Sequence, residues 1–492
     1  MFKFAPFNSL RTDKDFPERQ SIISKLTAVL NGRHYDGLVY DFDTEYTPSN
    51  EYIPLRNRQP AVRFNLCKTV VDDSVSMLFS EGHFPTVHSE DETVCETLKA
   101  ITKEAGFNAK MIEAATVGSV GSVAIQLMVL RNRVYLKAFN TQYLTPTFDD
   151  FAPDTLLKVR EQYKCKGAAL AAKGYPIPDD ELCSQFWFVR EWDEQEERFF
   201  VPRRVGDNDK PEAVDAAKTV KHGFGFVPMV WVRNLPGGDE IDGACTFAEA
   251  IQSSIQIDYQ LSQAGRGLKY SADPKLVLKD PSNLGDGSQL VGGAANALVV
   301  SSDGDAKLLE INGNASKAVI EYVRCLREFA IEAVHGNRVS PEKLAAASSG
   351  KAMELMNQSL VWLADRLRIS YGEGALLSLY RMIARASHVM KIECNGKPIG
   401  ELSLEAPISL SWNDWYDKTA ADNLSDAQTL TALTGASIMS KETAVRTVAS
   451  EYDVEDAAEE LARIESDANA VAERQNEQLA LKAKAAPPQS GI

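Results

Sequence analysis

The chain has 492 residues, of which 44% are hydrophobic and 25% charged, so it has an ordinary globular composition and enough length for about two to four compact units. Its 53 Lys and Arg against 69 Asp and Glu give a formal net charge of −16. Such a surface repels polyanions at long range, which excludes a regulator that grips DNA to read its sequence, although a chain of this charge could still surround DNA without holding it.

The cysteines and the N-terminus bear on where the chain is made. The seven cysteines are an odd number without CxxC spacing, as is typical of reduced, packed thiols in cytosolic proteins. The N-terminus lacks an apolar core of signal-peptide length, and no run approaches the roughly eighteen apolar residues that span a bilayer. We therefore expect synthesis in the cytoplasm and no membrane partner.

The N-terminal half mixes helix and strand patterns. Apolar residues at three- and four-residue steps predict three helices, over residues 18–30, 62–79 and 93–117. Alternating and β-branched stretches around charged turns predict two hairpins, over residues 123–139 and 186–201. Phe64 falls on the apolar stripe of the second helix. Residues 1 to about 240 are therefore expected to form an α+β unit.

A turn-rich joint at residues 234–238 precedes a predicted helix over residues 247–266. The surface positions of this helix are polar but uncharged, which is unusual for a solvated helix face: Gln252, Ser253, Ser254, Gln256, Gln260, Ser262 and Gln263. Two interpretations stay open here. Either another part of the same chain covers half of the helix, or the helix packs between copies of itself.

A helix, a small-residue segment and a longer helix follow a Gly-rich insertion. The insertion, residues 274–311, contains the strand-like runs KLVLKD and AKLLEI and predicts a protruding lobe. The first helix ends at His335-Gly336-Asn337, as helices usually end at Gly or Asn. Its apolar face consists of Val319, Ile320, Val323, Leu326, Ala330, Ile331 and Val334. Residues 339–350 are mostly small, and residues 351–385 predict one long helix.

The C-terminal region is predicted to be helical. Ser425-Asp426-Ala427-Gln428 fits a capping box, and Ser440 can cap another helix. Residues 455–484 predict an Ala/Glu-rich helix with a narrow apolar seam, formed by Leu461, Ile464, Ala468 and Val471. The tail over residues 485–490 is expected to be disordered.

Motifs that carry chemistry are mostly missing from the sequence. Ser348 to Ala352 lacks the upstream glycine and the hydroxyl of a phosphate-binding loop. The six histidines form no zinc-binding pair, and each is expected at the surface or at a helix end. The acidic runs 41–45 and 90–92 could hold Mg²⁺ or Ca²⁺, although such runs are more often solvated loops. No nucleophile, base and orienting acid assemble from sequence neighbours, so we expect no enzyme and no cofactor.

The order of six short motifs along the chain is more specific than any one of them. The motifs are Leu30-Asn31-Gly32-Arg33-His34-Tyr35, the run Asn65 to Asp72, Leu78-Phe79-Ser80-Glu81-Gly82, the run Gly225 to Val230, Ser349-Gly350-Lys351-Ala352, and Ser440-Lys441-Glu442-Thr443. In this order, from about residue 18 to 473, the chain resembles the portal proteins of tailed bacteriophages, in particular those of siphophages.

The resemblance implies an α+β, mainly helical portal fold that is assembled as a ring from wing, stem, clip and crown parts. Residues 1–245 would form the wing, 246–270 the first stem helix, 271–314 the clip, 315–335 the second stem helix, 336–350 the tunnel loop, 351–417 the long helix and return strands of the wing, and 418–492 a helical crown with a disordered tail. At about 1.5 Å per residue, each stem helix would span about 30 Å.

The resemblance also implies a dodecameric ring at one capsid vertex of the virion, made in the host cytoplasm, with a channel for double-stranded DNA packaging and ejection. Implied partners are further copies of the chain, DNA in transit, the terminase large subunit, the major capsid and scaffolding proteins, head-completion or adaptor proteins, and the tail. The candidate residues are Arg338, Lys343, Ser348 and Ser349 for the tunnel loop, Gln256, Gln260, Arg324 and Arg327 for the stem, and Lys275, Lys279 and Asp286 for docking at the clip.

Two other functions compete with this interpretation. A structural adaptor or connector ring would share the architecture without translocating DNA, and an image of the assembled ring would separate the two. A hydrolase whose site residues are distant in sequence would instead require a cleft with convergent acids or histidines of shifted pKa.

Overall fold

The computed structural model describes residues 14–206, 212–272, 275–279, 305–309, 314–337, 349–449, 454 and 456–485. The chain divides into two compact units. The first unit is Met1–Val339 with Asn357–Trp415, and the second is Ser340–Met356 with Tyr416–Ile492. Helices take 48% and strands 19% of the residues that the structure describes, which confirms the predicted α+β composition with an excess of helix. Among the helices of the described ranges, none combines the length and the hydrophobicity of a membrane span.

Thirteen α-helices are described. In chain order they are α1 (Glu18–Leu30), α2 (Leu66–Phe79), α3 (Glu92–Glu104), α4 (Phe107–Gly118), α5 (Gly167–Ala172), α6 (Ile251–Ala272), α7 (Asn314–Ala333), α8 (Gly350–Met356), α9 (Gln358–Leu367), α10 (Leu377–Ser387), α11 (Ala420–Gly435), α12 (Lys441–Ala449) and α13 (Ala457–Ala485). A π-helical segment, Arg368–Leu376, joins α9 to α10.

The strands form small antiparallel sheets. They are β1 (Thr86–Ser89), β2 (Ser122–Leu130), β3 (Arg133–Asn140), β4 (Leu144–Phe148), β5 (Leu156–Lys166), β6 (Gln185–Trp192), β7 (Glu196–Phe199), β8 (Arg203–Arg204), β9 (Val220–Lys221), β10 (Met229–Arg233), β11 (Lys275–Lys279), β12 (Asp305–Leu309), β13 (Glu393–Cys394), β14 (Lys397–Pro398) and β15 (Ile408–Ser411). The larger sheets have the orders β10-β2-β3 and β4-β5-β6-β7-β9, with β8 also on β6.

Helix α1 matches its prediction, whereas the second and third predicted helices need correction. The second begins at Leu66 because Asn65 adopts a left-handed conformation and caps the Lys68 amide, so Phe64 precedes the helix and is 42% exposed. The third is two helices, since Gly106 at φ +62° ends α3 before α4 begins. At both breaks one residue adopts a left-handed backbone conformation, although the apolar pattern of the sequence continues across it.

Both predicted hairpins are confirmed. In the first, β2 and β3 meet at Arg131 and Asn132, which both have positive φ angles, as a tight two-residue turn between twisted strands requires. In the second, β6 pairs with β7 across the acidic turn. The sequence did not predict β4 or β5, although β5 is the strand that joins the second hairpin to the rest of its sheet.

The predicted long helix over 351–385 is not continuous. It breaks at Asn357, which has φ −103° and ψ 19°, so α8 belongs to the second unit and α9 to the first. The π-helical segment then lets Gly372 approach the Trp412 ring so closely that a Cβ on it would lie 2.3 Å from Trp412 Cζ2. Apolar periodicity continues through both features, which is why it did not locate them.

The second unit is an open bundle of α8, α11, α12 and α13. Thr419 and Asp422 form the capping box of α11, so the predicted box at Ser425 is wrong, because Ser425 lies inside that helix. Ser440 does cap α12, accepting from the Thr443 amide at 3.1 Å. Helix α13 is confirmed, but much of its apolar seam is exposed, including Val471 at 51%. The predicted disordered tail, residues 485–490, begins one residue too early, because Ala485 still belongs to α13, and residues 486–490 lie outside the described residues.

Gly118→Ala should destabilise the first unit by about 1–3 kcal/mol, the usual cost of overpacking. A Cβ on Gly118 would lie 2.1 Å from the Tyr371 hydroxyl and 2.9 Å from Val123 Cγ1. Urea unfolding followed by tryptophan fluorescence measures this, because all 6 tryptophans lie in residues 187–415 of the first unit.

Gly265→Ala is the matched control for Gly118→Ala. Gly265 is also helical, but its added Cβ would meet nothing within 4 Å. We expect its free energy of unfolding to stay equal or to rise by at most about 1 kcal/mol, and its urea midpoint not to fall, since alanine favours a helix over glycine. Equal midpoints for the two variants would contradict the packing described for Gly118.

Candidate functional site

Helices α6 and α7 form the longest packed helix pair of the first unit. They have 22 and 20 residues, which corresponds to about 30 Å each. Their far ends lead to the antiparallel pair β11–β12, with Lys275 opposite Leu309, which confirms the two strand-like runs in the insertion. The helices themselves pack along each other. A rod of two helices therefore extends from the first unit.

A buried aspartate fixes the base of α6. Asp258 is 0% exposed and accepts hydrogen bonds from the Tyr35 hydroxyl at 2.9 Å and from the Phe64 amide at 2.7 Å. Its carbonyl accepts from the Ser262 hydroxyl at 2.7 Å, and that hydroxyl accepts from the Val62 amide at 2.9 Å. These bonds join α6 to two segments that lie about two hundred residues earlier in the chain.

Burial also changes the acidity of this aspartate. Loss of solvent raises the pKa of Asp258 to about 6, although the hydrogen bonds from Phe64 and Tyr35 oppose the shift. The pKa of Tyr35 is raised as well, first by burial and then by the neighbouring carboxylate. The site is thus a protonation-sensitive link in the attachment of α6.

The same contacts correct the prediction for the polar positions of α6. Ser254 and Ser262 are buried, with Ser262 in the aspartate network, whereas Gln252, Gln256 and Gln263 are exposed and Gln260 is half-buried. One side of α6 is therefore covered by its own chain, as the first interpretation held. The glutamine side is not covered within the described part of the chain, so packing between copies stays open for that side alone.

The joint before α6 is held by buried hydrogen bonds. The Tyr371 hydroxyl donates to Asn234 Oδ1 at 3.0 Å, and Asn234 Nδ2 donates to Thr246 Oγ1 at 2.8 Å. Tyr371 is fully buried in the π-helical segment. The predicted joint is thus fixed to the core of the first unit, and the same contact positions the first turn before α6.

Helix α7 is anchored at its C-terminal end. Ala330, Ile331 and Val334 are buried in the main core. His335 then adopts a left-handed conformation at φ 54°, and the Gly336 amide donates to the Ile331 carbonyl at 2.9 Å. This confirms His335 as a helix-end residue and most of the predicted apolar face, although Ile320 is exposed.

The stem candidates lie on the exposed sides of the pair. Arg324 and Arg327 are exposed on α7. Burial raises the pKa of the Asp73 carboxyl, and the nearby Arg327 cation opposes this shift.

The tunnel-loop and clip candidates are described only in part. Ser349 acts as the N-cap of α8, with its hydroxyl accepting from the Ala352 amide at 3.1 Å. Only the backbone of Lys275 and Lys279 is described, as part of β11. Arg338, Lys343, Ser348 and Asp286 lie outside the described residues.

The acidic runs have structural roles. Asp91 caps α3 through hydrogen bonds from the Thr93 and Val94 amides, and Glu45 forms an ion pair with Arg266 of α6. Among the described residues, no group of three or more His, Cys, Asp or Glu side chains could hold a metal ion. One histidine prediction is wrong, because His34 is buried beside Tyr35 and burial lowers its pKa to about 4.

Asp258 is the residue of this site that the sequence interpretation missed. It lies seven residues after Ile251 and three after Ile255, which are both buried, so it is a lone acid on the apolar face of a helix. That spacing was a usable signal, since a carboxylate on such a face must find hydrogen-bond donors or stay protonated. Its donors, Tyr35 and Phe64, could not be identified from spacing.

Comparison with known proteins identifies a protein family that matches most of the chain. The family model described as "Phage portal protein, SPP1 Gp6-like" matches residues 25–474. Solved structures similar to the chain include the neck of a native gene transfer agent particle computed with C12 symmetry, with a TM-score of 0.36 and 10% identity over 77% of this chain and 87% of that chain. A chain of the native gene transfer agent virion has a TM-score of 0.37 and 10% identity over the same shares. No curated protein matches the chain.

Asp258→Asn should change the pH dependence of stability. The carboxyl ionises near its ordinary pKa of 3.8 in the unfolded chain and near 6 in the folded one, so the folded state binds more protons between these values and wild-type stability falls as pH rises through them. From about pH 4 to pH 7 the wild type should lose up to about 3 kcal/mol relative to the variant. Urea unfolding at both pH values, read by tryptophan fluorescence, measures the difference.

Glu113→Gln is the control for that titration. Glu113 is an exposed acid that pairs with Lys110 on α4, where solvent screens the charge. Its variant should follow the wild type at both pH values within about 0.5 kcal/mol. If Asp258→Asn also runs parallel to the wild type, the carboxyl of Asp258 is not the group whose burial sets this dependence.

Proposed function

The chain belongs to the SPP1 Gp6-like family of phage portal proteins, and from this we propose that it assembles as a ring of twelve subunits at one vertex of a phage capsid. The ring encloses a channel through which double-stranded DNA enters during packaging and leaves during ejection. The observation that carries the proposal is the family match, which extends over residues 25–474 and so includes the paired helices and most of both units.

The described architecture is consistent with the proposed stem, clip, wing and crown parts of a portal subunit. Helices α6 and α7 serve as the stem, because they form a rod about 30 Å long that is fixed at its base by Asp258 and by the cap at Gly336. The pair β11–β12 belongs to the clip, and the first unit around the stem is the wing. Residues 418–492, which belong to the second unit, serve as the crown.

The charge of the chain suits DNA that must move. Every subunit carries a formal charge of −16, and a ring of such subunits disfavours sustained phosphate contacts. Tight binding to many phosphates would release counterions and arrest sliding. Transient contacts are assigned to Arg338 and Lys343 of the tunnel loop, beside Ser348 and Ser349. Gln256, Gln260, Arg324 and Arg327 are assigned to the stem.

The remaining partners follow from the same role. Lys275, Lys279 and Asp286 of the clip are the candidates for docking the terminase large subunit during packaging and a head-completion or adaptor protein afterwards. The major capsid and scaffolding proteins would contact the ring where it replaces part of the shell. The mature location is the virion, with the tail attached through the adaptor.

The assembled particle tests the proposal directly. Native mass spectrometry should give a mass of twelve chains of 54.1 kDa, and images along the symmetry axis should show an opening wide enough for duplex DNA. A ring closed at its centre by folded polypeptide would support the structural adaptor instead. A chain that stays monomeric under packaging conditions would refute the portal role.

Lys343→Glu should reduce DNA filling of capsids by more than about tenfold without changing the ring mass, because it replaces one of the two basic side chains of the tunnel loop with a charge that repels phosphate. Filling is measured as nuclease-protected DNA per capsid. Lys351→Glu is the control, since Lys351 pairs with Glu354 on the surface of α8. Normal filling by the Lys343 variant would remove the assigned role of this side chain.

A further inference from the structure

Helix α7 presents three different faces. The first faces its own chain, and its residues are Val319, Val323, Leu326 and Ala330, with Val334 directly after the helix. The second is charged and solvated, with Lys317, Glu321, Arg324, Glu328 and Glu332. The third, which we call the apolar stripe, is uncharged and exposed, with Ala318, Tyr322, Cys325, Phe329 and Ala333. The steps of three and four residues within each set place its members on one line along the helix.

The apolar stripe has no covering element in the described part of the chain. Tyr322 is 48% exposed and Phe329 63% exposed, and they lie two turns apart. A solvated face of a helix normally carries charge, as the neighbouring face of α7 does. Aromatic side chains at this spacing instead indicate a contact surface for another molecule. They bury a large apolar contact area there, and they lose little side-chain entropy when the contact forms.

Helix α6 presents a face that such a stripe can cover. Its outward line, which we call the glutamine stripe, consists of Gln252, Gln256, Gln260 and Gln263. Covering these side chains removes no charge from water, and their amides can both donate and accept hydrogen bonds. Covering the charged face of α7 would instead require several ions to lose their hydration.

The two stripes lie at matching heights above the core. Both helices enter the main core at one end, α6 at Ile251 and α7 at Val334, and they run in opposite directions from there. Counted from Ile251 and from Val334, a rise of about 1.5 Å per residue gives Gln256 the same height as Phe329, Gln260 the same as Cys325, and Gln263 the same as Tyr322. Three members of one stripe thus coincide in height with three members of the other.

We propose that the apolar stripe of α7 in one subunit packs against the glutamine stripe of α6 in the next subunit of the ring. This inference rests on the proposed portal role and assigns the stem faces that join neighbours. The contact is heterologous, so each subunit offers one stripe to each side and the chain of contacts closes on itself. A symmetry axis roughly parallel to the helices keeps residues of equal height together, which the matching levels satisfy.

Pairing of two apolar stripes is the alternative arrangement, and it makes a different structure. A stripe that packs on its own copy forms an isologous contact, which joins two subunits and then stops. It would also leave the glutamine stripe uncovered. The two arrangements therefore differ in how far a covalent link between neighbours can extend.

Disulfide trapping at level positions tests the contact. Cys325 is a native, exposed thiol, so Gln260→Cys supplies its proposed neighbour, and Cys183→Ser removes the other exposed thiol. Rings purified by mass are oxidised mildly and separated on a denaturing gel without reductant. We expect a ladder of linked subunits that extends beyond the dimer, because a disulfide forms only where Cα atoms come within about 7 Å.

The matched control moves the thiol by three residues to the charged face. It combines Cys325→Ser, Glu328→Cys, Gln260→Cys and Cys183→Ser, and we expect at least about tenfold less linked product. Twelve-membered rings that give no ladder with Cys325, or an equal ladder with the control, would overturn the stripe pairing and leave the portal role intact. Dimers formed through Cys325 alone would overturn it in favour of the isologous contact.

Introducing a charge on one stripe, and then the opposite charge on the other, tests the same contact without a disulfide. Phe329→Glu should lower the fraction of chains in rings by more than about tenfold, because a carboxylate would be buried against an uncharged face. Adding Gln256→Lys at the same level should restore most of the rings, whereas adding Gln252→Lys, about one turn lower, should restore fewer. Full ring assembly by Phe329→Glu alone would also overturn the proposal.

Discussion

Buried hydrogen bonding at Asp258 holds the base of α6 to the rest of the first unit. One carboxylate accepts from Tyr35 and from the Phe64 backbone, which lie far from it in sequence, and both Asp258 and Tyr35 are removed from water. The cost of burying the acid is visible in its raised pKa. The direction of the helix rod therefore depends on polar groups that must all be satisfied together.

This fixed base determines which faces of α6 and α7 point outward. With α6 fixed by Asp258 and α7 by its cap at Gly336, one face of each helix is committed to its own chain. The outward faces differ in chemistry: α6 offers glutamines, and α7 offers a charged line beside an aromatic one. In the acidic ring that we propose, neutral faces join subunits while charged faces stay in water.

Sequence patterns located most elements of the fold but not their interruptions. The hairpins were predicted because alternation and charged turns are local signals. The break at Gly106, the turn at Asn357 and the π-helical segment were missed because apolar spacing continues across them. For the candidate site, the helix pair and its neutral glutamines were found from the sequence, whereas burial of Ser254 and Asp258 was not.

The sequence by itself determined the excess of acidic charge, the two long helices around a β insertion and the order of motifs shared with portal proteins, because each is written in local composition or spacing. Only the tertiary structure decided which polar positions of α6 are covered and which side of α7 stays exposed beside its predicted apolar face. Burial depends on partners such as Tyr35, which lies more than two hundred residues from Asp258 in the chain. Periodicity gives a helix its faces, but contacts distant in sequence determine which of them stay exposed.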